Sequence, residues 1–305
     1  MEVLIIGLGS IAYKHILALK SITSDITLYA LRNAGNETVE GVTNIYNLAA
    51  LNTTPDFVII SNPTNLHYDA ILSVMHLGVP LFIEKPPLHE LSASEALIAR
   101  LNQSQIPTYV ACNLRFHPCI KFLKSYFENN EALVNEVNVY CGSYLPGWRP
   151  TKNYKDVYSA HKEMGGGVHL DLFHELDYAI WLFGPPEKHR GYTSNKSTLN
   201  ISAIDCANYI FEYKNFNIFI VLNYYRVTAK RTIEILFQDQ TWEVDLLRAT
   251  IKSDTHGLIF EHSTYNILDT YKEQMEYFFQ NVLPNGESMN TFEDSIQTLK
   301  ISVNG

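Results

Sequence analysis

Leu4-Ile5-Ile6-Gly7-Leu8-Gly9-Ser10-Ile11-Ala12 is an apolar run closed by two glycines, and the amphipathic pattern Ile11, His15-Ile16, Leu19 and Ile22 follows at once. That order predicts a buried strand, a tight turn and a helix. In such a turn Gly7 reverses the chain, Gly9 lets the backbone approach a ligand, and Ala12 allows close packing of helix on strand. Ser10, Ile11 and Ala12 then form the first helical turn, whose N–H groups and dipole favour a phosphate-bearing ligand.

Working outward, short apolar runs rich in β-branched residues recur at 26–31, 56–61, 80–84 and 107–111, with helical periodicity between them, as in Ala70-Ile71, Val74 and Leu77. The alternation predicts βαβ units, a parallel sheet and helices on both its faces. After Phe116 the character changes. A helix is predicted near 116–129, a strand over 132–143, a Pro-, Gly- and aromatic-rich loop over 144–160, and a helix through Trp181 that ends near Gly184-Pro185-Pro186. Closely spaced strands at 206–213, 216–224, 232–237 and 241–246 follow without intervening helices, and two helices near 266–282 and 291–303 finish the chain. The expected fold is therefore α/β, a doubly wound parallel sheet over residues 1–116, joined to an α+β domain over 117–305 with an open, mostly antiparallel sheet.

Composition narrows the function. A chain of 305 residues is long enough for two domains, each with its own core. Its 32 acidic and 23 basic residues give a net charge of -9, which argues against nucleic-acid binding and for a small-molecule partner. Cys112, Cys119, Cys141 and Cys206 form no C-x-x-C pair, so reduced thiols in a cytoplasmic protein are expected, with neither zinc site nor disulfide framework. No apolar run approaches the roughly 20 residues that span a bilayer, and Met1-Glu2 leads straight into a strand, so no membrane partner is expected.

Four further segments carry chemistry. Leu31-Arg32-Asn33 stands where the second strand ends, and an arginine there suits a ribose 2′-phosphate, although solvation explains a surface arginine equally well. Asn62-Pro63-Thr64, with Asn65 and His67 behind it, follows the third run at the ligand-binding edge of the sheet, where Thr64 or Asn65 is also a ready helix cap. Glu84-Lys85-Pro86 closes the next strand at the same edge and places a cation there. Gly165 to Asp177, reading GGGVHLDLFHELD, opens on glycines and brings Asp171 and His174 to helical spacing. His15 reads as a packing or capping residue. His169, Asp171 and His174 also read as a metal set, but the opening glycines fit a site loop and no metal is expected.

Together with Asn113-Leu114-Arg115-Phe116, these motifs, in this order and spacing, make the chain resemble the glucose-fructose oxidoreductase and inositol dehydrogenase family, Gfo/Idh/MocA, over nearly its whole length. The resemblance implies a Rossmann domain for NAD or NADP, with Arg32 favouring NADP. It implies that Gly7, Gly9, Ser10, Ile11, Ala12, Arg32, Asn62, Pro63, Thr64, His67, Glu84 and Lys85 serve the cofactor. It further implies that Lys85 polarises the reacting oxygen, Asp171 orients, and His174 exchanges the proton. The family's histidine commonly lies four residues after its aspartate and here lies three, which keeps one helical face; Glu175 occupies the fourth place. A hydride acceptor, a base and a fixed cation are what oxidation of a secondary alcohol requires.

Substrate contacts are expected from Lys85, Asp171 and His174 and from Trp148, Arg149 and Tyr158 in the 144–160 loop, where rings stack on sugar and a guanidinium takes hydroxyls or anions. Arg115 is another candidate, with an interdomain salt bridge as its alternative. The expected activity interconverts a hydroxyl and a keto group on a sugar, sugar derivative or cyclitol, in a homodimer or homotetramer. A redox-assisted glycoside hydrolase that keeps NAD bound, and a nucleotide-binding sensor or scaffold without catalysis, are the rival readings.

Overall fold

Six parallel strands in the order β3-β2-β1-β4-β5-β6 form the first sheet of the computed structural model, which describes residues 1–32 and 38–304. They are β1 (Glu2–Ile6), β2 (Thr27–Leu31), β3 (Val42–Ile45), β4 (Phe57–Ile60), β5 (Leu81–Glu84) and β6 (Thr108–Ala111). Helices α1 (Ser10–Ile22), α2 (His67–Val74) and α3 (Ser94–Gln103) make crossovers between them. All of β4, β5 and β6 and the last four residues of β1 are buried, which is why these strands read as continuous apolar runs rather than as alternating ones. Helix α1 buries Ala12, His15, Ile16, Ala18 and Leu19, a stripe set by the helical repeat. The order reverses between β1 and β4, and ligands of such sheets bind outside the carboxyl ends at that point. Short, edge-lying β3 was not among the predicted strands; of its four residues only Ile45 is buried, so it carries no hydrophobic period.

The second sheet has eight strands in the order β14-β13-β12-β11-β7-β10-β9-β8. Helix α4 (Pro118–Asn129) precedes β7 (Val134–Tyr144), and the loop after it holds three short 3-10 turns at Leu145–Gly147, Tyr154–Asp156 and Tyr158–Ala160. Helices α5 (Val168–Asp171) and α6 (His174–Phe183) lead into β8 (Lys188–Ser194), β9 (Cys206–Glu212), β10 (Asn217–Asn223), β11 (Tyr225–Phe237), β12 (Thr241–Asp245), β13 (Thr250–Ser253) and β14 (Gly257–Glu261). All neighbours pair antiparallel except β10 with β7. The helix predicted through Trp181 is two helices, because the chain turns at Leu172-Phe173, where Leu172 leaves helical geometry at φ -97° and ψ 34°.

Helices α7 (Ile267–Tyr277), α8 (Leu283–Asn285) and α9 (Phe292–Asn304) end the chain. Two compact units result: Met1–Asn113 with Ile267–Leu299, and Leu114–Asn266 with the end of the chain from Lys300. The break thus falls three residues before the one read from sequence, and 267–299 joins the first unit rather than the second. Packing explains this: Phe278, just after α7, meets Phe57 at 5.0 Å, Phe82 at 5.4 Å and Tyr109 at 6.2 Å, and Asn290 binds the Val110 carbonyl at 2.8 Å. No helix among the described residues is long and apolar enough to cross a membrane.

Candidate active site

In the first unit the glycine loop joins β1 to α1 as the sequence predicts. Gly7 has φ +85°, and a Cβ there would lie 2.7 Å from the Asn62 Cα, so only glycine lets the turns after β1 and β4 touch. Gly9 is different: a Cβ on it would meet no atom within 4 Å, and it caps α1 without any side-chain bond. An open surface before an uncapped helix suits the pyrophosphate of a dinucleotide. The Asn62 Oδ1 is buried with no hydrogen-bond partner among the described residues, a state that a bound ligand would relieve. These observations fit NAD or NADP, with Gly9, Ser10, Ile11 and Asn62 as the residues that would hold it. Ala12 is fully buried and serves helix packing, not ligand contact. Arg32 directly follows β2 and its backbone N–H donates to the Ile45 carbonyl at 2.9 Å; Asn33 lies outside the described residues. Pro63 and Thr64 begin a 3-10 turn of which neither side chain caps the end.

Glu84 and His67, expected at the cofactor, are engaged elsewhere. Glu84 Oε1 is 2.6 Å from His15 Nε2, and its Oε2 accepts the Lys85 backbone N–H at 3.1 Å. His67 is buried, with Nδ1 3.2 Å from the Pro87 carbonyl and Nε2 3.0 Å from the Asn62 carbonyl. Burial pulls its pKa below the usual histidine range, so the neutral ring donates to one carbonyl at a time. Both side chains bond other parts of the first unit. Lys14, half-buried, donates to the Tyr271 hydroxyl at 3.3 Å; its pKa is lowered by burial, with Glu84 opposing and Lys85 adding to the effect.

In the second unit the glycine run has a steric reason. A Cβ on Gly166 would lie 2.1 Å from the Tyr158 carbonyl oxygen, so the run packs directly beneath the 3-10 turn that carries Tyr158. That packing brings Tyr158 over Asp171, whose Oδ1 accepts the Tyr158 hydroxyl at 2.7 Å, while Oδ2 accepts the Tyr224 hydroxyl at 2.5 Å. Burial first, and then the facing Asp171 charge, push both phenol pKa values up, so the hydroxyls stay protonated donors. Trp148 meets the Tyr224 ring edge-on at 5.3 Å, and the Arg149 guanidinium lies 5.8 Å from the Tyr158 ring centre. Four of the predicted substrate residues, Trp148, Arg149, Tyr158 and Asp171, therefore form one cluster. Tyr224 completes it and was not singled out from sequence, since it reads there as one more inward-facing aromatic of a strand.

His174 opens α6 and is 8% exposed. Because the chain turns between Asp171 and His174, the two do not share one continuous helical face. Glu175, the alternative acid at the fourth place, is fully buried and holds Arg231, with Nε 2.5 Å from Oε1 and Nη2 3.2 Å from Oε2. Arg115, a candidate substrate residue, has a buried partner. Its Nε and Nη2 donate to the Asp177 carboxylate at 2.9 and 2.8 Å, and both partners are buried in the same unit. This fork-to-fork pair gives Arg115 a structural partner within the second unit. Arg115→Met is expected to lower stability by about 3–5 kcal/mol, because it strands a buried carboxylate; denaturant unfolding measures this, and a normal midpoint with a raised KM would restore the substrate role. Among the described residues no three His, Cys, Asp or Glu side chains form a metal-ligand set.

A glycine-loop Rossmann sheet with a lysine at its carboxyl edge, and a second unit with an open mixed sheet, are the architecture against which known families can be set. Residues 1–111 match the oxidoreductase family with an NAD-binding Rossmann fold, and residues 134–252 match the GFO/IDH/MocA C-terminal domain. The chain belongs to the Gfo/Idh/MocA family. It is 27% identical over 189 residues to the oxidoreductase YceM of Salmonella typhimurium, a match that takes in 59% of this chain and 55% of YceM, so it spans about half of that relative. Among solved structures, levoglucosan dehydrogenase in complex with NADH and levoglucosan superposes with a TM-score of 0.83 at 16% identity, covering 99% of this chain and 95% of that one. Myo-inositol 2-dehydrogenase from Lactobacillus plantarum gives 0.79 at 18% identity, again covering 99% and 95%. At such identities the likeness shows the fold.

Proposed function

We propose that the protein is an NAD(P)-dependent oxidoreductase that interconverts a hydroxyl and a keto group on a sugar, sugar derivative or cyclitol. The observation that carries this reading is Lys85, fixed at the carboxyl end of β5, on the ligand-binding edge that the glycine loop and the Asn62 turn also occupy. When bound, the nicotinamide supplies the hydride acceptor or donor. Lys85 holds the oxygen of the reacting carbon and stabilises negative charge as it develops there. His174 takes the hydroxyl proton in oxidation and returns it in reduction. Asp171, steadied by two phenols, accepts a bond from a sugar hydroxyl. Trp148 and Arg149 receive the rest of the substrate, the ring stacking on an apolar sugar face and the guanidinium taking hydroxyls or an anionic substituent. Arg32 pairs with a 2′-phosphate and so favours NADP. The open face of the eight-stranded sheet is where we place self-association into a dimer or tetramer.

Titration with NADH and NADPH, followed by nicotinamide fluorescence, tests the cofactor, and a panel of keto sugars followed by absorbance at the nicotinamide band tests the reaction. NADPH is expected to bind more tightly, and Arg32→Ala to remove about 1–2 kcal/mol of that preference while leaving NADH affinity unchanged. Tighter binding of NADH would assign it to NAD, and equal affinities would leave Arg32 no part in cofactor choice. No binding of either nucleotide would sink the reading as a whole.

A further inference from the structure

The turn that carries Lys85 is fastened on both sides by buried histidines from different helices. On the α1 side, His15 is wholly buried, and its ring is boxed by the edges of Phe82 at 4.9 Å and Tyr271 at 5.8 Å. Its Nε2 reaches Glu84 Oε1 at 2.6 Å, and the other oxygen of that carboxylate accepts the Lys85 N–H at 3.1 Å. Glu84 is therefore folded over the peptide that follows it, and His15 locks the fold. On the α2 side, the buried His67 ring stands between the Pro87 carbonyl, 3.2 Å from Nδ1, and the Asn62 carbonyl, 3.0 Å from Nε2; its one N–H donates to either, and the ring packs the lysine turn against the loop on Gly7. Between these two fastenings stand Pro86 and Pro87, whose rings limit the backbone further.

We propose that His15 and His67 are positioning residues for Lys85: acting through the Glu84 carboxylate and the Pro87 carbonyl, they hold the 84–87 turn so that the lysine meets its substrate oxygen without reorganising. The proposal rests on the role given above to Lys85. Its physical basis is that a fixed charge serves catalysis in proportion to how well its support is ordered. The bond from His15 is the stronger fastening, since a carboxylate takes part in it and water is excluded. His67 adds a link between the two loops at the cofactor edge, so a disturbance of either loop is felt by the other.

The test uses the full-length protein with His15→Ala, His15→Gln, His67→Ala and Lys85→Ala. Amide hydrogen exchange reads the turn without any substrate, and Lys85 and Leu88 are the reporters because Pro86 and Pro87 have no N–H. In His15→Ala the Lys85 amide is expected to exchange about tenfold faster while β4 and β6 keep their protection, as loss of one charged hydrogen bond predicts. His67→Ala should act in the same way on Leu88. In His15→Ala turnover should fall about 10- to 100-fold with NADPH affinity held within about twofold, the scale of a misplaced catalytic group, whereas in His67→Ala, whose ring also meets the Asn62 carbonyl, NADPH affinity is expected to fall as well. His15→Gln, which keeps an N–H for Glu84, should recover most of both losses and covers the case in which the alanine variant fails to fold. Unchanged exchange at Lys85, or exchange raised evenly through the whole sheet, would make His15 a core filler and overturn the proposal. Normal turnover of His15→Ala beside an inactive Lys85→Ala would overturn it too. Normal turnover of Lys85→Ala would instead remove the role of the lysine, and the positioning role with it.

Discussion

Lys85→Ala is expected to lower turnover by about a hundred- to a thousandfold while NADPH binding stays close to normal, the range found when one preorganised group is removed from a developing oxyanion. The reasoning separates two jobs at one sheet edge. Pyrophosphate is assigned to the open Gly9 surface and the uncapped start of α1, neither of which depends on Lys85. In the proposed reaction the lysine instead faces charge that appears only in the transition state, so its loss should fall on kcat. Lys85→Arg should recover little, because a planar fork does not replace a compact ammonium in a turn braced at both ends. The comparison needs steady-state rates with a reactive keto sugar and a separate fluorescence titration. Equal loss of NADPH binding and turnover would place Lys85 in the cofactor site alone.

Acidification from pH 6.5 to 4 is expected to unfold the second unit through two buried histidines. His117 caps α4: its Nδ1 accepts the Cys119 N–H at 3.1 Å and its Nε2 donates to the Leu246 carbonyl at 3.0 Å. Only the neutral ring can do both, since the imidazolium has no acceptor. Burial pulls its pKa down to about 4, with the Leu246 carbonyl opposing and the Arg231 and His262 charges adding to the effect. His169 is pulled down to about 4 by burial as well, against the raising effect of Asp171. The unfolded chain, titrating near the ordinary 6.5, binds more protons than the folded one between these values, so stability is full above 6.5 and is lost as pH falls towards 4. Each histidine carries on the order of 3 kcal/mol across that window, and two together rival the whole stability of many domains. Urea unfolding at successive pH values measures the slope. His117→Asn, which keeps a helix-capping acceptor without an imidazole, should flatten it by about half. A slope that His117→Asn leaves untouched would assign acid unfolding to other groups.

Much of the candidate site was legible in the chain. The glycine loop, the Asn62 turn and the E-K-P turn all stand at strand ends, and strands buried on both faces announce themselves as apolar runs, so these residues were placed correctly at one sheet edge. Their partners were not legible. His15 looked like packing because a buried histidine in an amphipathic helix has no local signature, and its partner Glu84 lies 69 residues away. Glu84 and His67 looked like ligands because polar residues beside a binding motif invite that reading, whereas each bonds another part of its own unit. Arg115 and Tyr224 show the same in opposite directions: one was taken for a substrate contact and is bound to Asp177, the other was passed over and holds Asp171.

The sequence by itself determined the class of fold, the family and the chemistry-bearing turns, because backbone needs and burial periods are local and repeat at fixed spacing, whereas the cluster around Asp171 came from the structure. Only the tertiary structure decided which charged groups pair with one another, as His15 does with Glu84 and Arg115 with Asp177. Pairing depends on which strands become neighbours and on where a side chain ends after folding, and a carboxylate or imidazole looks the same in sequence whether it faces a substrate or a buried partner.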